Sequence, residues 1–193
     1  MVGNWEVNVT VDAMPQVVAT AFGKLDELVG AKYEPIAYLG SQVVNGTNYA
    51  VLAKQLLIDG VDTKNVVLVT FNQKPGQVGD ASIASIERIV EQGMPAGGAV
   101  VDVKTDIPDE ATAAFKEAFE GYVGVKVEPF ALLATQVTKG VDYIFAAEVT
   151  PVVENPVKYV ALVTVNALTK RVTITDMLAS KQDSLGYAFT WLA

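Results

Sequence analysis

The chain has 193 residues, and its 14 Lys and Arg against 22 Asp and Glu give a net charge of −8. This excess of acid, with no basic stripe, would repel a phosphate backbone, so we expect no nucleic-acid partner. The sequence has no Cys and no His, which excludes thiolate and histidine catalysis and the common zinc sites, so we expect no enzyme activity, no metal and no cofactor. No apolar run approaches the roughly 18 residues of a membrane-spanning helix, and no signal peptide is visible, so we expect no membrane partner and either a cytoplasmic protein or the mature form of a secreted one.

The first 93 residues carry one helical pattern among strand patterns. Residues 5–11 alternate between apolar and polar side chains, which predicts a strand. Asp12 and Pro15 then predict the start of a helix, the apolar spacing over 18–29 predicts its amphipathic body, and Gly30 is expected to end it. Four further strands are predicted at 36–43, 49–58, 66–71 and 82–89.

The second half of the sequence repeats the first. Shifted by 94 residues, the halves align without a gap, and about twenty of the 64 positions from 16 to 79 are identical. We interpret this as a duplication, with domains at 1–93 and 94–193 that meet in a stretch rich in Gly and Pro. In the second domain, Asp106 and Gly124 are expected at the two ends of a helix over 115–123, and strands are predicted at 101–103, 130–137, 143–153, 159–165 and 172–178.

Each domain therefore has the order strand, helix and four strands. Short turns between consecutive strands predict antiparallel pairing, with the single helix covering one face of the sheet. The predicted fold class is α+β, with two tandem domains that each contain an antiparallel sheet of four to five strands wrapped on one helix.

Two loops of the first domain resemble those of a known family. Gln42-Val43-Val44-Asn45-Gly46 resembles the QxVxG hairpin loop of the cystatins, and more closely that of the cysteine-free stefins. Pro75-Gly76 resembles the second hairpin loop of stefins, and Gly3 lies 39 residues before Gln42, close to the family's spacing for its N-terminal glycine. The resemblance covers nearly all of the first domain and, in the second, the part from the first strand to the first hairpin loop.

The resemblance implies two cystatin-like domains and inhibition of papain-like cysteine proteases. Cystatins block the protease cleft with a wedge made of the N-terminal glycine segment and two hairpin loops, which requires no nucleophile. A preorganised hairpin tip loses little entropy on docking. Gly46 would allow close approach to the enzyme, so a bulky side chain there is expected to abolish inhibition and preserve the fold. The implied protease-binding residues are Val2, Gly3, Gln42, Val43, Val44, Asn45, Gly46, Pro75 and Gly76.

The second domain departs from the family pattern. Its second loop, residues 167–171, has no Pro-Gly, and its N-terminal segment is joined to the first domain. We therefore expect the first domain to be the inhibitor. A second site stays open at Gly97, Gln136, Val137, Thr138, Lys139 and Gly140.

Another hypothesis needs no protease. Gly46 fits the turn residue that a tight hairpin requires, and a fold does not fix a function, so a non-inhibitory binding or structural module with an unidentified partner is the alternative. Asp59, Asp62 and Asp80 match no metal-binding loop and are expected to be solvated turn carboxylates. We expect a monomer, with domain swapping through the first hairpin as the alternative.

Overall fold

The structure is a computed structural model that describes residues 3–93 and 98–179. The chain divides into two compact units, Met1–Gln92 and Gly93–Ala193, which we call unit 1 and unit 2. In the described part of both units, no helix is long and apolar enough to cross a membrane.

The described part of unit 1 contains one antiparallel sheet, one α-helix and one short 3-10 helix. The strands lie in the sheet in the order β1-β2-β3-β4-β5, so β2 to β5 form a meander of hairpins. The elements are β1 Trp5–Thr10, α1 Gln16–Gly23, a 3-10 helix Lys24–Glu27, β2 Ala31–Val44, β3 Gly46–Leu57, β4 Lys64–Gln73 and β5 Ser82–Glu91.

Unit 2 has the same order of strands and helix, and its sheet runs β10-β9-β8-β7-β6. The predicted α+β class is therefore confirmed in this form: residues 3–93 and 98–179 contain two antiparallel five-stranded sheets and two short α-helices. The elements are β6 Ala99–Lys104, α2 Asp109–Ala118, β7 Val125–Thr138, β8 Gly140–Pro151, β9 Tyr159–Asn166 and β10 Val172–Asp176.

In each unit the helix packs on one face of the sheet. Val18 and Ala21 of α1 lie in one buried cluster with Phe71 of β4. In unit 2, Phe115 of α2 contacts Phe145 of β8 edge to face, with ring centroids 5.1 Å apart. Burying an aromatic side chain of this kind contributes roughly 2–3 kcal/mol of transfer free energy, so these contacts fix each helix on its sheet.

The first strand of each long hairpin begins earlier than the sequence pattern predicts and continues through a proline. The pattern predicts that β2 begins at residue 36, whereas the strand begins at Ala31 and includes Pro35. The pairing with β3 shifts at Pro35, and the pairing of β7 with β8 shifts in the same way at Pro129. A bulge tolerates a residue that has no N–H to donate, so the proline does not end the strand.

The predicted helix starts are wrong. Pro15 and Pro108 occupy the capping positions with φ of −55° and −57°, and neither helix has a side-chain capping bond. Asp12 and Asp106 are therefore not caps. Proline suits these positions because its fixed φ is compatible with a helix start and it has no N–H to satisfy.

The predicted helix ends are also displaced. α2 ends at Ala118, well before Gly124, and α1 passes into a 3-10 helix that ends at Glu27, before Gly30. Gly30 and Gly124 do have left-handed φ values of 96° and 91°. They form the turns that lead into β2 and β7, so the glycine pattern marked a turn and not a helix end.

The buried Tyr38 should make unit 1 sensitive to alkaline pH. Its side chain is 5% exposed, and desolvation raises the pKa of its phenol above the usual value near 10, against a smaller opposite effect of the hydrogen bond with Ser41. The unfolded chain loses this proton at a lower pH than the folded chain, so the stability present below the ordinary pKa is lost as the pH rises through the raised pKa. We expect Tyr38→Phe to cost about 1 kcal/mol at pH 7 and to flatten the fall of the urea midpoint above about pH 10. Equal slopes for both proteins would contradict this assignment.

Candidate functional site

Three segments of unit 1 meet at one end of its sheet. The backbone N–H of Gly3 donates to the carbonyl oxygen of Val43 at 2.8 Å, which places the N-terminal segment beside the first hairpin. Gly46 of the same hairpin lies against the backbone of Gln73, where the β4–β5 loop begins. We call this region, formed by Gly3, residues 42–49 and residues 72–78, the loop end of unit 1.

The tip of the first hairpin is a very tight turn. β2 ends at Val44 and β3 begins at Gly46, so Asn45 alone lies between the strands. Gly46 has φ of +108°, and a Cβ built on it would lie 2.1 Å from the carbonyl oxygen of Gln73. Only glycine fits there, because both the φ value and the neighbouring backbone exclude a side chain.

This geometry corrects one expectation about Gly46. A bulky residue at that position cannot leave the fold intact, because its Cβ would already overlap a backbone atom of unit 1. The requirement for glycine therefore arises inside the unit. A substitution at Gly46 tests stability before it tests protease binding.

The second loop is held in one conformation by a turn and by Gln73. The N–H of Gln77 donates to the carbonyl of Lys74 at 3.1 Å, and Pro75 and Gly76 occupy the two central positions. Gly76 has φ of +79°, as the third residue of a type II turn requires. The Gln73 Nε2 atom also donates to the carbonyl of Gln77 at 2.6 Å, which closes the loop a second time.

The predicted site residues divide into an exposed and a structural group. Val43 is 69% exposed, and Asn45, Pro75 and Gly76 are exposed with it. Gln42 and Gly46 contact their own unit instead, and Val44 is half-buried. Sequence patterns missed Val78, which is 95% exposed in the second loop. Val2 lies outside the described residues.

A chain of side-chain hydrogen bonds connects the three segments. Asn72 Nδ2 donates to Asn48 Oδ1 at 2.7 Å, and Asn48 Nδ2 donates to Gln42 Oε1 at 3.2 Å. Gln42 Nε2 in turn donates to the carbonyl of Gly3 at 2.9 Å. Sequence patterns had identified Gln42 and Gly3 and missed the two asparagines, although Asn72 is one of the positions at which the two halves of the sequence are identical.

Unit 2 has a similar first hairpin tip. Lys139 alone lies between β7 and β8, and Gly140 has φ of +102°, with a built Cβ 2.8 Å from the Leu168 side chain. Val137 is 71% exposed, close to the exposure of Val43. The structure therefore brings Gln136, Val137, Thr138, Lys139 and Gly140 together in one hairpin, whereas Gly97 lies outside the described residues.

The second loop of unit 2 is organised differently from that of unit 1. Asn166 Oδ1 accepts hydrogen bonds from the backbone N–H groups of Leu168 and Thr169, at 3.1 and 2.7 Å. Asn166 Nδ2 donates to Asp142 Oδ1 at 2.6 Å. One buried asparagine thus shapes this loop, where unit 1 uses Pro75 and Gly76.

The acidic residues considered for a metal site have local roles. Asp59 accepts hydrogen bonds from Thr63 and from the N–H of Val61, and these bonds lower the pKa of its carboxyl. Asp80 forms an ion pair with Lys24 at 2.6 Å. Across residues 3–93 and 98–179, no group of three or more acidic residues could hold a metal ion.

No protein-family model, curated protein or solved structure matches this chain. The resemblance to the cystatins therefore rests on the residues of the two hairpin loops and of the N-terminal segment.

Proposed function

We propose that this chain inhibits papain-like cysteine proteases by inserting the loop end of unit 1 into the active-site cleft. One observation carries the proposal. The three segments that the resemblance assigns to the wedge, although far apart in sequence, lie side by side at one end of a single sheet. An inhibitor of this type needs that arrangement and needs no catalytic group.

Rigidity of the loop end supports the proposal. Gly3 is held by two hydrogen bonds to the first hairpin, Gly46 packs on Gln73, and the second loop is closed by its turn. Segments that are already ordered lose little conformational entropy when they bind, so more of the contact energy remains as affinity. Free loops of the same sequence would bind more weakly.

The exposed surface of the loop end also suits a cleft. Val43, Pro75 and Val78 present apolar groups to solvent at the tips of the loops. The buried centre of a protein interface is apolar and depleted in charge. These three uncharged, apolar side chains match that composition. We propose Val43, Asn45, Pro75 and Gly76 as direct contacts, and Gln42 and Gly46 as residues that hold them.

Unit 2 is not proposed as a second inhibitor. Its first tip exposes Val137, but its second loop has Thr169 and Lys170 in place of Pro-Gly, followed by Arg171. Lys170 forms an ion pair with Glu117 of α2, so part of this loop is bound to its own helix region. Lys170 and Arg171 give this loop two cations, where the loop of unit 1 has Lys74 alone, so more charge would have to be desolvated in an apolar cleft.

We also infer that the two units arose by duplication of one cystatin-like domain. They share the order of strands and helix, and each first hairpin has a single residue at its tip. The pairing shifts at Pro35 and at Pro129, which are 94 residues apart, the same offset that aligns the two halves of the sequence. Independent origins would not be expected to place bulges at matching positions.

One observation favours the alternative of a non-inhibitory binding module. Gly46 and Gly140 are both required by packing within their own units. The glycine of the QxVxG motif would therefore persist in a protein that binds no protease. This alternative predicts no effect on papain-like enzymes and a different partner for the same exposed tips.

Inhibition of papain by the full chain separates these two functions. With a small peptide substrate, we expect the apparent KM to rise and kcat to stay unchanged, because the chain and the substrate compete for one cleft. Half-inhibition is expected at or below about 1 µM, a binding free energy of about −8 kcal/mol that a standard interface supplies. Full papain activity at about 10 µM chain would contradict the proposal and leave the alternative.

A further inference from the structure

The chain of hydrogen bonds at the loop end of unit 1 positions the N-terminal segment. We infer that Asn48 and Asn72 are positioning residues that hold Gly3 against the first hairpin and couple it to the second loop. Their effect on inhibition rests on the proposed function, whereas their effect on Gly3 does not.

The chain runs in one direction, which a backbone carbonyl sets. The oxygen of Gly3 can only accept, so Gln42 must turn its amide NH2 towards it and its Oε1 towards Asn48. Asn48 must then give its own NH2 to Gln42, which leaves its Oδ1 for the NH2 of Asn72. Every amide is therefore fixed in orientation by the bond that ends at Gly3.

The sheet itself brings these side chains into one row. Gln42 lies opposite Asn48 in the β2–β3 pair, and Asn48 lies opposite Asn72 in the β3–β4 pair. Trp5, two residues after Gly3, lies opposite Gln42 in the β1–β2 pair. Directly opposite residues have Cβ atoms about 5 Å apart, so short amide side chains can bridge strand after strand. The row therefore runs across three strands, β4, β3 and β2, and ends at the N-terminal segment before β1.

Unit 2 has a different residue at one position of this row. Asp142 lies 94 residues after Asn48 and accepts a hydrogen bond from Asn166, just as Asn48 accepts one from Asn72. An ionised carboxylate can only accept, so it cannot pass a donated hydrogen on to the next side chain as Asn48 does. A row with the direction found in unit 1 therefore cannot run through Asp142.

Asn48→Asp places the acidic residue of unit 2 at the corresponding position of unit 1, and the side chain keeps almost the same shape. The carboxylate still accepts from Asn72, but it places an oxygen against Gln42 Oε1. If Gln42 turns its amide to donate to the carboxylate, its oxygen then opposes the carbonyl of Gly3. If the amide turns, Gln42 loses its bond to Gly3. If the amide does not turn, the two facing oxygens repel and Gln42 loses the donor that orients it, so the bond to Gly3 is weakened.

The first measurement is the hydrogen-exchange rate of the Gly3 amide, by NMR on the full chain. At pH 7 we expect Asn48→Asp to raise this rate about tenfold, because the hydrogen bond from Gly3 to Val43 loses its neighbouring support. Near pH 3, below the ordinary aspartate pKa near 4, the substituted carboxyl carries a proton and can donate again, so the ratio to the unmodified chain should fall towards one. A merely structural disturbance would not be reversed by acid.

Asp142→Asn is the matched control, since it makes the opposite change in unit 2. It should leave the exchange of Gly3 unchanged. Gln42→Glu cuts the row at the next position and should reproduce the effect of Asn48→Asp, which keeps the inference testable if the first variant does not fold. An unchanged Gly3 rate in the substituted unit 1 would overturn the inference.

The second measurement, papain inhibition, is read separately. If the unmodified chain inhibits, Asn48→Asp should weaken inhibition about tenfold at pH 7, and unchanged inhibition with faster Gly3 exchange would overturn the positioning role. If the unmodified chain does not inhibit, the proposed function fails, and the exchange of Gly3 alone decides whether the row holds the N-terminal segment.

Discussion

Gly46→Ala is expected to lower the free energy of unfolding of the chain by about 3 kcal/mol or more. The added Cβ would lie 2.1 Å from the carbonyl oxygen of Gln73, and the residue would keep φ of +108°. A backbone atom within a paired strand cannot move aside as the end of a flexible side chain can. The strain and the overlap therefore add, and the loss is large against the 5–15 kcal/mol that stabilises a typical domain. Urea unfolding followed by circular dichroism measures it.

Substitutions at two other glycines should cause smaller losses of stability, in proportion to the space around each Cβ. Gly140→Ala should cost about 2 kcal/mol, because its Cβ meets the side chain of Leu168 at 2.8 Å. Gly76→Ala should cost only about 1 kcal/mol, since nothing lies within 4 Å and the positive φ is the sole difficulty. A Gly46→Ala protein no less stable than the Gly76→Ala protein would refute the close contact between the two loops.

Val43→Glu is expected to weaken inhibition of papain about a hundredfold or more. The Val43 side chain is 69% exposed in the free protein, so the substitution should change the stability of the chain by less than about 0.5 kcal/mol. In the complex, the same position would bury an unpaired carboxylate in an apolar cleft, which costs several kcal/mol, and about 2.7 kcal/mol already corresponds to a hundredfold. The inhibition constant and the urea midpoint of the same preparation measure both effects.

Val137→Glu supplies the matched control. Val137 is 71% exposed at the corresponding tip of unit 2, so it receives the same chemical change in the same kind of hairpin. Inhibition by this variant should equal that of the unmodified chain. Equal losses for both variants, or a loss only for Val137→Glu, would show that unit 1 alone is not the binding unit.

The order of helices and strands could be predicted because the same hydrophobic spacings occur in both halves of the sequence. Alternating and three-to-four spacings gave the order strand, helix and four strands, and both units follow it. Element ends were less predictable. Pro35 lies inside β2 because the strand pairing shifts there, and a bulge depends on the neighbouring strand, which the local pattern does not contain. The helices start directly after Pro15 and Pro108, because the fixed φ of proline suits a helix start. The positions of Asp12 and Asp106 do not indicate this.

The candidate site shows a similar division. The resemblance of residues 42–46 and of Pro75-Gly76 to the cystatin loops, with the matching spacing of Gly3, implied the segments that form the loop end. The functions of Gln42 and Gly46 within the unit did not follow, since they depend on atoms of Gly3 and Gln73 brought near by pairing. Asn48 was missed for the same reason, because its hydrogen bonds are made with the residues opposite it in two strand pairs.

The most direct measurement is the molar ratio at which the full chain abolishes the activity of papain of known active-site concentration, with both proteins well above the dissociation constant. One papain per chain is predicted, because unit 1 presents Val43 with Pro75 and Gly76 at a single rigid end, whereas the second loop of unit 2 lacks this surface. Undiminished activity at several equivalents of chain would contradict protease inhibition. An end point of two papain molecules per chain would contradict its assignment to unit 1 alone.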